Sequence, residues 1–391
     1  MKYDSIRTKI YNYLYICILV SIANKISFNM KYLLHIIAVI LCINLYTEYS
    51  FAVTGGDSIE FGVNSVELYR ERPEDWRRSI DAMERHGVRL LRLTLRSNNG
   101  VVPQIVRYAS SHGIRTLIVV PTGLPQFYQA SAKRRLGTNI YWASYPLSEI
   151  DLDKFKSFWL AHLAEMKAAG ATAFAYEIGN EINGPGFNGD FPVGAGAHES
   201  DAAACDLGAR CAPIAKGFAK YVALLRLVRE TEGLRPSLLT AAGLAAIGSG
   251  WAQSSHGYFF SARSTLKALR RLGVSAYVDA YAVHRYVNVG GAHGAAAERM
   301  AGRQLSEAVR DCAAASGKPC WLTEWGVRAK SVGCADDPER DALLAASIQA
   351  LRTTAAPYAF YFDWDQNPTL SLYRCGHLVS PAAASMWKAP Q

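Results

Sequence analysis

Short runs of apolar and β-branched residues alternate with longer amphipathic stretches from about residue 60 onward. Several of the amphipathic stretches end at a glycine, as helices commonly do. The pattern predicts eight strands, with helices between them. The predicted strands are 61–64, 88–95, 114–120, 173–178, 238–242, 280–284, 321–324 and 359–364. The predicted helices are 75–86, 103–112, 151–169, 215–230, 264–272, 297–315 and 340–355.

Strands that alternate with helices predict a parallel sheet of the α/β class. Eight such units fit a closed (β/α)₈ TIM barrel, which we expect to form one catalytic domain over residues 53–391. No G-x-G-x-x-G motif opens a helix, so a dinucleotide-binding fold is the weaker alternative. The glycine-rich segment 184–212 predicts a long loop over the barrel mouth.

The amino terminus carries two apolar stretches, 11–23 and 33–45. The second follows Met30 and a lysine and precedes small residues that include Ala52, which is the pattern of a secretory signal. Composition changes after Ala52, so we expect translation to start at Met30 and residues 1–52 to be an extension plus a cleaved signal peptide. The predicted mature protein is periplasmic or secreted and has no stable membrane span, because the apolar run is short for one. Without cleavage the same segment would anchor the protein to a membrane.

Six cysteines follow the predicted cleavage point, and an even number in an exported chain predicts disulfides. They are Cys205, Cys211, Cys312, Cys320, Cys334 and Cys375. None forms a C-x-x-C pair, which disfavours zinc, and no metal is expected. Six cysteines allow fifteen pairings. A preference for local loops favours Cys205–Cys211, Cys312–Cys320 and Cys334–Cys375.

The formal net charge is +9. No dense Lys/Arg run is interleaved with aromatic residues, so a nucleic-acid partner is not expected. The positive charge suits either a mildly basic solvated surface or an acidic polysaccharide neighbour.

Two predicted strands end in a carboxylate, where barrel enzymes place their chemistry. The fourth strand runs into Tyr176-Glu-Ile-Gly-Asn-Glu181, and the seventh into Trp321-Leu-Thr-Glu324. Retaining glycoside hydrolysis needs one carboxyl group as acid/base and a second as nucleophile, facing each other at roughly 5 Å. Strands four and seven lie on opposite sides of a barrel, so Glu181 and Glu324 are the candidate pair. Glu177, a lone carboxylate near the same strand end, is more typical of an ion-pair partner.

An Asn-Glu pair ending strand four and a Glu ending strand seven resemble the glycoside hydrolase clan A superfamily, including its β-xylosidase, exopolysaccharide endoglycosidase and cellulase branches. The resemblance implies that Glu181 is the acid/base and Glu324 the nucleophile of a double displacement on a poly- or oligosaccharide, without a cofactor. It also implies that Asn180 binds the substrate 2-hydroxyl and that Arg92 keeps the nucleophile ionised. Arg96 competes for the second role.

The same resemblance supplies further substrate-binding candidates. His284 and Tyr286, in Val-His-Arg-Tyr, are similar to the strand-six pair that borders nucleophile and substrate. Trp364 is similar to the strand-eight tryptophan that forms a floor for the sugar, and Trp325 is the neighbour of the candidate nucleophile. Ile182 departs from the proline that many members have after Asn-Glu, which leaves the sugar unassigned.

Two alternatives remain. A transglycosylase would use the same residues, and a non-catalytic carbohydrate-binding barrel in envelope or exopolysaccharide metabolism would use the same fold.

Overall fold

The computed structural model describes residues 59–134, 145–192, 199–200, 211–231, 237–246, 259–330, 333–334 and 337–388. The predicted extension and signal peptide 1–52, with its start at Met30 and cleavage after Ala52, lies outside the described residues and stays a prediction.

The barrel is built from eight strands with helices between them. The strands are β1 Glu60–Asn64, β2 Leu90–Thr94, β3 Arg115–Val120, β4 Ala175–Asn180, β5 Leu238–Ala245, β6 Ala280–Tyr286, β7 Cys320–Gly326 and β8 Tyr358–Tyr361. The helices are α1 Pro73–Arg85, α2 Val101–Ser111, α3 Leu152–Ala168, α4 Ala212–Glu230, α5 Ala262–Arg271, α6 Gly294–Ser316 and α7 Pro338–Arg352. A 3₁₀ helix, Pro381–Met386, follows β8. All the predicted strands and helices are present, with boundaries displaced by a few residues.

Each barrel strand pairs in parallel with the next in sequence, and β8 pairs with β1 through Phe61 opposite Ala359. The sheet is therefore closed, and the predicted (β/α)₈ barrel is confirmed. Since all eight strands are parallel, their carboxyl ends meet at one mouth.

Apolar side chains fill both sides of the barrel wall. Helix α1 buries Trp76, Ile80 and Met83 against the strands, at the spacing of one helical face. The lower barrel interior is closed by a separate cluster from six strands, consisting of Leu90, Leu117, Ala175, Ala280, Trp321 and Phe360. This cluster leaves only the upper interior for polar groups.

Two disulfides are described in full. Cys312 of α6 bonds to Cys320 at the start of β7, and Cys334 bonds to Cys375, as the sequence analysis prefers. Cys211 is also disulfide-bonded, but Cys205 of the third predicted pair lies outside the described residues. Disulfides are compatible with an extracellular location.

Within the described part of the chain, no helix has both the length and the apolar character needed to cross a bilayer.

Candidate active site

Six of the eight sequence-predicted site residues meet at the barrel mouth in one network of hydrogen bonds and ion pairs. They are Arg92 on β2, Asn180 and Glu181 at the end of β4, His284 and Tyr286 on β6, and Glu324 on β7. Trp325 and Trp364 lie elsewhere.

Glu324 is held at both carboxylate oxygens. Arg92 Nη1 donates to Oε1 at 2.7 Å, and the Tyr286 hydroxyl donates to Oε2 at 2.7 Å. His284 Nδ1 lies 3.5 Å from Oε2. Burial alone would raise the pKa of Glu324, but the positive charges of His284 and Arg92, with the two hydrogen bonds, outweigh it and lower the pKa. Glu324 is therefore ionised.

Glu181 follows β4 with a left-handed backbone, at φ 43°, which non-glycine residues seldom adopt. Its backbone N–H donates to the Gly243 carbonyl of β5 at 2.8 Å, which holds this turn. Its Oε1 lies 2.9 Å from His284 Nδ1, and a carboxylate oxygen of Glu181 lies within 4.8 Å of one of Glu324. The Glu181 side chain is 25% exposed against 10% for Glu324, so the two carboxyl groups have different environments.

Arg92 occupies the centre of the network and is fully buried. Its Nη1 also donates to Asn64 Oδ1 at 2.7 Å, and its Nη2 donates to Asn180 Oδ1 at 3.1 Å. Its partners Glu177 and Glu324 raise its pKa despite burial, which by itself lowers it. The competing candidate Arg96 lies beyond β2 and is exposed.

Two further residues of the site, Glu177 and Asn64, are not among the predicted site residues. Glu177, considered only as an ion-pair partner, pairs with Arg92 inside the barrel at 2.8 Å. Asn64, at the end of β1, donates to the Thr323 carbonyl at 3.1 Å and accepts from Arg92. A polar residue on a buried strand must find partners, and this was the available signal for both.

His284 stands between three carboxylates. Its Nε2 lies 3.8 Å from Glu177 Oε1, an ion-pair distance too long for a hydrogen bond. Burial lowers the pKa of His284, but Glu324, Glu177 and Glu181 together raise it to about 9. The imidazole is therefore protonated at neutral pH. Gly243 makes room for it, since a Cβ there would collide with Nε2.

A register shift on β7 aims Glu324 into the mouth. Val283 of β6 pairs with Leu322, but the next residue, His284, pairs with Glu324, so that Thr323 is skipped. Such an extra residue commonly re-aims a side chain beside an active site. Trp325 then points outward, where it is buried against Phe61 and Tyr361. The expectation that Trp325 binds substrate is therefore wrong.

Trp364 is also not a floor for the sugar. It is fully buried, stacks on Tyr373 with ring centroids 4.9 Å apart, and packs edge-on against Trp387. Its ring also lies 6.1 Å from that of His86, which directly follows α1, so Trp364 packs on the helix side of the barrel wall. The aromatic residue that follows β8 at the mouth is the half-buried Phe362, whose ring lies 5.9 Å from that of Tyr286.

Glu181, His284 and Glu324 bring three potential metal-ligand atoms within 4.8 Å of one another. However, a guanidinium already contacts one oxygen of Glu324, a phenol contacts the other, and the imidazole is protonated. Metal binding needs deprotonated ligands. The donor set therefore suits an ionised carboxylate beside a cation better than a metal ion.

No model of a known protein family matches this sequence, and no match is found among curated proteins. Solved structures do match. GH5_18 from Streptomyces cattleya, in complex with GlcNAc, is 14% identical with a TM-score of 0.56, over 85% of this chain and 82% of that one. The β-galactosidase of Halorubrum lacusprofundi is 13% identical with a TM-score of 0.55, over 84% of this chain and 57% of that one. The exo-β-1,4-mannosidase Op5Man5 of Opitutaceae bacterium strain TAV5 is 15% identical with a TM-score of 0.54, over 84% and 59%.

The chain therefore has the same barrel fold as these three solved structures. The identities establish the fold alone, and the chain spans less than two thirds of the mannosidase and β-galactosidase chains.

Proposed function

We propose that the chain is an exported retaining glycoside hydrolase that cleaves O-glycosidic bonds of a poly- or oligosaccharide. The observation that carries the proposal is that a carboxylate oxygen of Glu181 lies within 4.8 Å of one of Glu324 at the barrel mouth. Retaining enzymes place their two carboxyl groups at roughly 5–5.5 Å, whereas inverting enzymes need about 6.5–9.5 Å to admit a water.

The different environments of the two carboxyl groups support the assignment of roles. Glu324 is the nucleophile, because Arg92, His284 and Tyr286 hold it ionised. Glu181 is the acid/base. Its side chain is the more exposed of the two, and its Oε1 is engaged by His284, which leaves Oε2 to carry the transferable proton.

The reaction proceeds in two displacements. Glu181 gives its proton to the glycosidic oxygen as the bond from that oxygen to C1 breaks, and Glu324 forms an ester bond to C1. Ionised Glu181 then takes a proton from water, whose oxygen bonds to C1 while Glu324 leaves as a carboxylate. We assign Asn180, whose Oδ1 accepts a hydrogen bond from Arg92, the role of binding the hydroxyl next to C1.

The substrate class is proposed from the matched structures, whose names describe a β-1,4-mannosidase, a β-galactosidase and a complex with GlcNAc. We assign a β-linked hexopyranoside on this basis. Phe362 replaces Trp364 as the proposed apolar surface for the sugar ring, since it lies beside Tyr286 at the mouth. The two disulfides support the proposed export.

The test is a screen of the purified protein against β-linked polysaccharides and aryl β-glycosides, with Glu181→Ala and Glu324→Ala as variants. Both variants should lose hydrolysis, while Glu230→Ala, an exposed carboxylate on α4, should keep it. A 2-deoxy-2-fluoro glycoside of a cleaved sugar should label Glu324, and NMR of the first product should show the substrate's anomeric configuration.

Full activity of Glu324→Ala, or an inverted product, would contradict the proposal. Glycan binding with no turnover and no labelling would indicate the carbohydrate-binding barrel instead. Products extended by an added sugar acceptor, in place of free sugar, would indicate the transglycosylase.

A further inference from the structure

We propose that Glu177 is a positioning residue for this reaction: its buried carboxylate aims Arg92 at the nucleophile and supplies the negative charge that balances His284 between the two catalytic carboxyl groups. The inference rests on the proposed function for its catalytic meaning. Glu177 itself lies below the mouth and is fully buried, so it acts through its neighbours and not on the substrate.

The first contact is with Arg92. Arg92 Nε donates to Glu177 Oε2 at 3.2 Å and Nη2 donates to Oε1 at 2.8 Å. A two-point pairing of this kind fixes the plane of a guanidinium. With that edge occupied, Nη1 is directed to Glu324. Glu177 therefore determines where Arg92 presents its charge to the nucleophile.

The second contact is with the acid/base side of the site. Glu177 Oε1 lies 3.8 Å from His284 Nε2, while His284 Nδ1 lies 2.9 Å from Glu181. Oε1 also accepts the Gly243 N–H at 3.0 Å, and the carbonyl of the same glycine accepts the Glu181 N–H. One carboxylate thus connects the supports of both catalytic groups.

The third argument is charge balance. Two cations, Arg92 and His284, are buried with two carboxylates, Glu177 and Glu324, and this set is neutral. This neutral set contains the nucleophile Glu324 and both cations beside it. If Glu177 were neutral, the buried cations would exceed the buried anions, which would favour loss of the proton from His284. In the described residues, the titratable groups that face Glu177 or its partners are Arg92, Glu181, Tyr221, His284, Tyr286 and Glu324.

The experiment compares Glu177→Gln, which removes the charge, with Glu177→Asp, which keeps it, in the full chain. For Glu177→Gln we expect kcat to fall roughly 10- to 100-fold with little change in KM. Both limbs of the pH profile of kcat/KM should move to lower pH by about one unit, because a lost negative charge favours deprotonation of every neighbour. Glu177→Asp should lower kcat and leave both limbs of the pH profile in place. The control Glu230→Gln should change neither kcat nor the pH profile.

A second measurement does not depend on activity. Chemical shifts of ¹⁵N-labelled histidine, assigned by comparison with His284→Gln, report the protonation of His284 directly. Glu177→Gln should lower the pKa of His284, and Glu177→Asp should not.

Two outcomes in Glu177→Gln would overturn the inference. One is an unchanged His284 titration, and the other is a loss of kcat while both limbs of the pH profile of kcat/KM stay in place. If instead Glu181→Ala and Glu324→Ala kept activity, the proposed function would be wrong. The NMR titration of His284 would still test whether Glu177 controls the protonation of that histidine. If Glu177→Gln does not fold, full wild-type kcat in Glu177→Asp overturns the inference.

Discussion

The Tyr286 hydroxyl and Arg92 each donate a hydrogen bond of 2.7 Å to Glu324, the hydroxyl to Oε2 and the guanidinium to Oε1. One contact is a neutral donor and the other a fixed cation. Because both favour the ionised carboxylate, the side chain is charged and also held in one orientation. Glu181 differs from Glu324 in this respect, because the described residues of the network contact its carboxyl group through one oxygen, Oε1.

Replacing Tyr286 by phenylalanine should remove one of these contacts. A hydrogen bond to a charged group is worth about 1.5–3 kcal/mol, so kcat/KM should fall roughly 10- to 100-fold. The hydrogen bond lowers the pKa of Glu324, so its loss should raise that pKa and move the acidic limb of the profile to higher pH. Tyr277→Phe, at the opposite end of the barrel, is the control. An unmoved acidic limb would show that Tyr286 does not set the charge of Glu324.

Replacing Arg92 by methionine should destabilise the fold, because Glu177 and Glu324 would remain buried without the guanidinium that pairs with both of them. Breaking a buried ion pair in this way costs about 3–5 kcal/mol. The exposed Arg96→Met is a matched control and should change the free energy of unfolding by less than about 0.5 kcal/mol. Urea titrations of both variants measure the difference. Equal stabilities would mean that the buried network contributes little.

The stability of the protein should depend on pH at both ends of its range. The pKa of His284 is raised from 6.5 to about 9, so its contribution is complete below 6.5 and is lost as pH rises to 9. The pKa of Glu177 is lowered from 4.5 to about 2, so its contribution is complete above 4.5 and is lost as pH falls towards 2. Relative to His284→Gln, the wild type should lose roughly 3 kcal/mol between pH 6.5 and 9.

Chemical denaturation at pH 5.5, 7.5 and 9 checks this linkage. The same alkaline loss in His284→Gln as in the wild type would assign it to other groups.

Replacing Trp364 should affect mainly the stability of the fold, whereas replacing Phe362 should affect mainly KM. Trp364→Ala removes a fully buried indole and should cost about 3–5 kcal/mol of stability, while KM stays unchanged where the protein is folded. Phe362→Ala should leave stability nearly intact and raise KM, since this half-buried ring lies beside Tyr286. Thermal unfolding and steady-state kinetics on both variants distinguish packing from substrate contact. Raised KM in Trp364→Ala alone would restore the original assignment.

The fold was predictable because many separate stretches of the sequence each carry evidence for it. Eight apolar runs and seven amphipathic stretches each predict one element, so an error of a few residues at Val88 or Ala173 leaves the topology unchanged. The two disulfides described in full were also favoured by sequence distance alone.

The candidate site was only partly predictable, because it depends on which way individual side chains face. Strand alternation cannot show that the pairing skips Thr323, and it therefore could not exclude Trp325. The sequence also does not show where β8 ends. Of the two aromatic residues after it, Phe362 lies beside Tyr286, and Trp364 stacks on Tyr373. The ion-pair interpretation of Glu177 was correct, but its partner Arg92 is distant in sequence and only barrel closure brings the two together.

Thr323, which has no pairing partner on β6, affects how far the Glu324 carboxylate lies below the rim of the barrel. Thr323 lies close to Gly243 and fills an interior position, and Glu324 stands one residue nearer the mouth. One residue along a strand is about 3.3 Å. Deleting Thr323 would therefore leave a glutamate facing inward but lower it by that distance, out of reach of a sugar resting on the rim. One inserted residue on β7 therefore sets the height of the Glu324 carboxylate and, under the proposed function, how far a glycan must enter the barrel mouth.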